Sequence, residues 1–341
     1  MTVRITKPEF NLREKISELD KPTGMKGNEL LKSETTQEAR NYISAGRKNY
    51  IINGDFQLSQ RGDYTSATAI SNQTYYLDRW TTDVSGVSAT IQQKTHQAVG
   101  DKGDRYYKNT VKMAATSSAT GYLQLRQKVE TAVYESLYGK TVTVSAWVKS
   151  NHPNVRLRIE SGNYGGTNWD SYQTHNGDGR WQKLSMTTRL HTSGNLVFGV
   201  ILWGSTGGAG ANHAQGAITS GDFYEFTDFQ VELGGNATDF EHRPYSQELL
   251  LAQRYYQVHD GHYLQVVSPT TGATADFYVT LPYWVPMNHG PDVTESYTTS
   301  GATTNNLVTV TQTKAKFSLR PTTANSEIYV LADTLRLDAE L

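Results

Sequence analysis

The sequence predicts a mainly β chain: an antiparallel β-sandwich of jelly-roll type, a small β unit after it, and a short helical segment in front. Three observations carry this. Apolar and polar residues alternate over many short stretches, as where Val155, Leu157 and Ile159 interleave with Arg156, Arg158 and Glu160. Gly- and Asn-rich turns separate these stretches, among them Gly162 to Gly166, Asn176 to Gly179 and Gly204 to Gly216. The composition agrees: 37% hydrophobic residues with 29 Gly and 21 Tyr suits short strands and polar turns better than long helices.

Residues 1–48 differ from the rest, with much Lys and Glu and few aromatics. Thr35-Thr36-Gln37-Glu38 reads as a capping box, because the Thr35 hydroxyl can accept the Glu38 amide while the Glu38 side chain returns the bond. A helix from there passes Ala39, Tyr42 and Ile43 and stops at Gly46. A further turn covers Asn28 to Lys32 and carries Leu30 and Leu31. Helices this short need a partner surface, so the segment is expected to dock into an assembly through Leu30, Leu31, Tyr42 and Ile43.

Residues 49–243 hold the sandwich. Val142, Val144, Ala146 and Val148 share one face of a strand, as do Leu184, Met186 and Leu190. Leu196 to Trp203 is a continuous apolar run, expected to be buried on both faces. Phe229, Val231 and Leu233 oppose Asp228, Gln230 and Glu232, which are expected to face solvent. Pro244 and Ser246 open a linker helix within residues 244–254, expected to act as a hinge. Residues 255–341 form the second β unit, with alternation at Phe277, Val279 and Leu281, at Val308 and Val310, and at Ile328 and Val330. So small and Thr-rich a unit gains most by packing against copies of itself.

Several function classes are excluded or weakened. The 32 basic and 33 acidic residues leave no net field to attract nucleic acid or an anionic membrane. No apolar run approaches the ~18 residues of a membrane span, and no secretory signal follows the first residues. Cysteine is absent, which removes disulfides and thiolate zinc sites. The sequence makes no case for an enzyme. Glu225, Asp228 and Glu232 form the nearest carboxylate cluster, but on a regular strand Glu225 faces away from Asp228, and Asp228 and Glu232 lie roughly 13 Å apart. Only a bulge would change that geometry. The run Gly204 to Ala211 lacks the Gly-Lys-Ser/Thr of a phosphate loop. The nine histidines lack metal-ligand spacing, and no Gly-x-Ser-x-Gly elbow occurs.

Flat aromatic rings among amides would suit a sugar ligand. Tyr164, Trp169, Tyr172 and His175 lie among Asn and Gly in one long loop and are the candidate ligand residues.

One group of motifs points further. Asn53-Gly54-Asp55-Phe56 is followed by Ser59-Gln60-Arg61-Gly62 and Tyr76-Leu77-Asp78-Arg79-Trp80. Then come Gly139 to Ser150, Val231-Glu232-Leu233-Gly234, Ala237 to Ser246 and Gln253-Arg254-Tyr255-Tyr256. In order and spacing this resembles a family of tailed-bacteriophage virion proteins with a carbohydrate-binding-module-like jelly roll, over about 60% of the chain. The leader, at Leu30-Leu31-Lys32-Ser33 and Ala39-Arg40, is similar to segments that precede such domains in phage fibre proteins. The resemblance implies a tail fibre, a receptor-binding protein or a capsid-surface fibre. Such a protein is a homotrimer, made in the host cytoplasm, carried on the virion and attached through its N-terminus to other virion proteins, with a host surface glycan as ligand. The alternatives are a decoration or tail structural protein without ligand, and a carbohydrate-binding module of another origin. No cofactor is implied beyond a structural calcium, which such jelly rolls hold between first and last strands. Asp55 and Asp228 occupy those strands here, although Gln57 follows where a further acidic ligand would be expected.

Overall fold

Strand pairing builds two six-stranded sheets from the predicted sandwich region. The computed structural model describes residues 48–99, 106–162, 168–170, 174–205, 216–267, 277–300, 302–321 and 327–340. The helical leader, with Leu30, Leu31, Tyr42 and Ile43, lies outside the described residues. The front sheet runs β1 (Thr68–Ala69), β4 (Ala89–Val99), β5 (Tyr106–Ala115), β12 (Phe223–Leu233), β7 (Thr141–Ser150) and β10 (Trp181–Arg189). The back sheet runs β2 (Tyr75–Leu77), β3 (Trp80–Ser85), β6 (Tyr122–Lys128), β11 (Asn195–Trp203), β8 (Val155–Gly162) and β9 (Asn168–Asp170). Every pairing is antiparallel. From β5 to β8 successive strands alternate between the sheets, and β10 to β12 do so again, which is jelly-roll winding.

The period-two residues meet between the sheets. Val142, Val144, Ala146 and Val148 of β7, Leu184 of β10 and Val111 and Met113 of β5 face Leu157 and Ile159 of β8, Phe198, Val200 and Leu202 of β11 and Leu125 of β6. An aromatic knot closes one end of this core. Trp80 sits 5.2 Å from Phe56, 5.5 Å from Phe226 and 5.3 Å from Phe229, mostly edge-on. The Trp80 indole N–H donates to the Asn53 carbonyl at 2.9 Å. Gly54 is required beside it, since any side chain there would strike the Phe229 carbonyl, whose own N–H donates to the Gly54 carbonyl. The motif around Asn53 is therefore core architecture.

A short helix α1 (Thr131–Leu137) precedes β7 and buries Tyr134 and Leu137. A second, α2 (Tyr245–Gln253), leads from the sandwich into six more strands. These are β13 (Tyr256–Val267), β14 (Phe277–Pro282), β15 (Asp292–Ser300), β16 (Ala302–Val310), β17 (Lys314–Pro321) and β18 (Glu327–Asp338). They pair as β13-β18-β15 and β14-β17-β16 around a small core of Leu281, Tyr283, Met287, Ala315, Leu335, Leu337 and Ala339.

The junction is pinned where a hinge was expected. Buried Glu248 of α2 pairs with Arg243 at 2.9 Å. The Arg79 guanidinium, fully buried, pairs with Glu340, stacks 3.6 Å from the Tyr255 ring centre and donates to the Lys128 carbonyl at 2.6 Å. Arg61 reaches Asp338 at 2.7 Å and Glu340 at 3.3 Å, and lies 3.9 Å from the Tyr256 ring centre. Removing one partner from such desolvated pairs strands the other charge, so the two units are held at this joint. The Arg61, Arg79 and Tyr255-Tyr256 motifs are thus joint residues.

Candidate functional site

The outward-facing positions of the front sheet form the richest chemical surface among the described residues. On β7 the core takes the even positions from Val142 to Val148, so Thr143, Ser145, Trp147 and Lys149 point outward. Cross-strand register then aligns two rows. One runs Gln92, Lys112, Glu225, Lys149 and Trp181 across β4, β5, β12, β7 and β10. Five strands at the usual spacing make this row roughly 19 Å long. In the neighbouring row Lys94 pairs with Thr110, and Trp147 lies between Thr227 and Lys183.

A groove of about 380 Å³ opens at the β10 end of these rows, lined by Trp147, Asn176, Asp178, Arg180, Trp181, Gln182 and Lys183. Its outer wall is the turn from Asn176 to Arg180. Gly177 and Gly179 adopt left-handed φ values of 75° and 74° there, conformations that glycine takes without strain. The Gly179 N–H ties the turn to the Ser150 carbonyl at 2.8 Å, and Asp178 accepts the Arg180 N–H at 3.0 Å. Tryptophan faces, amides, a carboxylate and cations around one groove can stack on a sugar ring while bonding its hydroxyls.

The electrostatics of the rows are uneven. Glu225 is 2% exposed, accepts the Lys94 ammonium at 3.1 Å and the Thr110 hydroxyl at 2.5 Å, and is the one carboxylate in the two rows. Lys112 lies over the Phe223 ring at 4.4 Å, and Lys149 lies 6.0 Å from the Trp181 ring centre. Partial burial, then the Lys94 and Lys149 charges, hold the Lys112 ammonium below its ordinary pKa against the pull of Glu225.

The sequence-predicted residues fall in different places. His175 is buried: its Nδ1 accepts the Gly177 N–H at 2.9 Å and its Nε2 meets the Arg180 carbonyl at 2.8 Å. Burial lowers its pKa, opposed by the Arg180 carbonyl and Asp178, so the neutral ring props the groove wall from beneath. Trp169 stands on β9 opposite Ile159 of β8, on the back sheet. Tyr164 and Tyr172 lie outside the described residues.

The β12 carboxylates, expected to face solvent, are buried: Glu225 at 2%, Asp228 at 6% and Glu232 at 0% exposure. Two features explain it. A bulge between Thr227 and Gln230, with Asp228 at a φ of 52°, breaks the strand's regularity. The chain after β12 then folds back, so that Thr238 donates to Glu232 through N–H (2.8 Å) and hydroxyl (2.6 Å) and the Glu241 N–H donates to Gln230 at 2.8 Å. Each carboxylate also meets a lysine: Glu225 meets Lys94, Asp228 meets Lys108, and Glu232 lies 4.0 Å from Lys48.

Asp55 and Asp228 do lie in one electrostatic neighbourhood. The Asp55 carboxyl is pushed up in pKa by burial, then by the Glu248 and Asp228 charges. The donor set nevertheless fits calcium poorly, since the Lys108 ammonium already sits on Asp228 and the Gln57 amide donates to both Asp55 oxygens at 3.3 Å. Among the described residues no three His, Asp or Glu side chains group as a metal site.

Trp147 and Trp181 were not singled out as ligand residues in the sequence. A signal existed for Trp147, because a large aromatic on the polar parity of an amphipathic strand has no core to fill. For Trp181 there was none, since its place beside Trp147 depends on the β7–β10 register.

No family model and no curated protein matches this chain. Solved structures similar to it include the module TmCBM61 in complex with β-1,4-galactotriose, at 13% identity and TM-score 0.30, over 55% of this chain and 100% of that one. A CBM4 structure is similar at 17% identity and TM-score 0.33, over 53% and 98%. The enzymatically active domain of bacteriophage CBA120 tailspike protein 4 is similar at 10% identity and TM-score 0.32, over 57% of this chain and 22% of that one.

Proposed function

We propose that this chain is a non-catalytic, glycan-binding attachment protein of a tailed-bacteriophage particle. The groove carries the binding half of this reading: Trp147 and Trp181 line about 380 Å³ together with Asn176, Asp178, Arg180, Gln182 and Lys183. The particle half rests on the motif resemblance, with residues 1–48 docking to other virion proteins. A homotrimer accords with exposed apolar surface at Tyr245 and Leu250 of α2 and at Tyr278 and Trp284 of the second unit, which neighbouring copies would cover. Three copies would turn weak single-site affinity into useful avidity. A binding role without hydrolysis agrees with the lysine and threonine partners that occupy Glu225, Asp228 and Glu232.

A second reading, a structural particle component without ligand, draws on the pinned Arg79–Glu340 joint, which a part under mechanical tension would need. Adsorption competition separates the two. Purified wild-type protein should bind host cells saturably and reduce phage adsorption, while Trp181→Ala loses about tenfold or more in cell binding. Its thermal unfolding should stay within experimental error of wild type. A folded wild-type protein that binds neither cells nor a glycan panel favours the structural reading.

A further inference from the structure

We infer that the front-sheet groove takes an acidic polysaccharide, one whose sugar units carry carboxylates, with Lys112, Lys149 and Lys183 supplying the selectivity. The inference rests on the glycan-binding reading and sharpens it to a ligand class.

The charge count of the face is the argument. The two rows hold Lys94, Lys112, Lys149 and Lys183 but the single carboxylate Glu225, and Lys94 takes that carboxylate at 3.1 Å. Among the described residues no carboxylate forms an ion pair with Lys112, Lys149 or Lys183. On the groove wall the exposed Arg180 and the exposed Asp178 offset each other, so the lysines of the rows carry the surplus. The crowding is felt at Lys112, whose neighbours Lys94 and Lys149 both press it toward neutrality. An added anion would relieve that repulsion.

The layout matches a chain better than a point charge. Lys112 and Lys149 lie in one row, on the strands either side of β12, leading to Trp181 in the groove. Lys183 stands beside Trp147 in the other row. Cations therefore line a roughly 19 Å track that ends on the two tryptophans at the β10 side. A polymer with a stackable ring and a periodic carboxylate meets both features, whereas a neutral glycan uses only the rings. The chain's near-zero net charge, with 32 basic and 33 acidic residues, argues against a general polyanion binder.

The test uses the full chain and three probes in affinity electrophoresis: polygalacturonate, the same polymer with its carboxylates reduced to alcohols, and double-stranded DNA. Retardation by polygalacturonate should weaken about tenfold or more between ~0.05 and ~0.5 M NaCl, and the reduced polymer should bind about tenfold more weakly than its parent. The double variant Lys112→Gln/Lys149→Gln should lose the preference for the acidic form while keeping its weak affinity for the reduced one. Trp181→Ala should weaken both. Equal binding of acidic and reduced polymer, abolished by Trp181→Ala, overturns the acidic class and leaves glycan binding standing. Binding of neither polymer overturns the acidic class, and the glycan-binding reading falls with it only if cells and the glycan panel are not bound either. Binding of DNA as tight as that of polygalacturonate, insensitive to Trp181→Ala, overturns the inference in favour of nonspecific polyanion contact.

Discussion

The two outward faces of the sandwich cover one shared core from opposite sides, yet they treat charge in opposite ways. On the back sheet Arg126 of β6 reaches Asp83 at 2.7 Å and Glu160 at 3.2 Å, and Arg158 of β8 reaches Glu160 at 2.9 Å. Gln124 donates to Glu160 at 3.2 Å and the Tyr122 hydroxyl to Asp83 at 3.1 Å, while Trp203 stacks against both Tyr122 (5.2 Å) and Arg158 (5.0 Å). Cations and carboxylates interlock there. On the front sheet lysines outnumber carboxylates in the central rows, and the tryptophans border a groove. An interlocked network stabilises the fold and leaves little for a ligand. A face with surplus charge is slightly self-repelling, and that repulsion is what an incoming partner can relieve.

Substitutions on the two faces should therefore shift stability in opposite directions. The largest effect is expected at Arg126→Ala, which leaves Asp83 and Glu160 facing each other without their shared cation. A loss of about 2 kcal/mol in urea unfolding is expected, between the costs for surface and buried pairs. Unchanged stability would mean the network is not interlocked. Asp55→Asn, beside the front-sheet bulge, should stabilise by about 1 kcal/mol at pH 7, because it removes a carboxylate that burial and its acidic neighbours disfavour. The folded pKa of Asp55 is raised, so the penalty on wild type exists only where the group is ionised. The gain should fade as pH drops through that raised pKa, and pH-resolved melting curves check this. Calcium or EGTA should leave the wild-type curve in place; a calcium-dependent rise lost in Asp55→Asn would restore the metal site. Smallest is Lys112→Gln, expected to stabilise by about 0.3 kcal/mol near neutral pH after allowance for solvent screening. The folded pKa of Lys112 is lowered, so its unfavourable charge is present below that pKa and absent above the ordinary lysine value. The variant and wild-type melting curves should converge as pH rises through that window.

The sandwich was readable because alternation is a local signal. Val142 to Val148, Leu184 and Val155 to Ile159 lie in the core on the side their parity requires, and Leu196 to Trp203 is buried on both faces as a continuous apolar run should be. The fate of the polar parity was not readable. Arg156 and Arg158 occupy the polar parity of β8, yet Arg156 is 6% exposed, because neighbouring strands bring partners that a single strand cannot reveal. Glu232 was misjudged for a related reason: the segment that covers it, Thr238 to Glu241, follows several residues after the strand has ended. The groove failed to show itself on both counts. Trp147 and Trp181 are 34 residues apart in sequence and meet only through the β7–β10 register, while His175, chosen for its aromatic company, turns out to support the wall from inside.

The strict alternation along β7 and β10 has an evolutionary consequence. Odd positions of β7 point outward, Trp147 among them into the groove, and even positions face the core, so the two sets of residues can change separately although they share one strand. A lineage meeting a new surface chemistry could replace Trp147, Lys149, Trp181 or Lys183 one at a time without disturbing Val148 or Leu184. Recognition can drift quickly on such a scaffold while its architecture stands still, and sequence identity would decay fastest at the positions that decide what is bound.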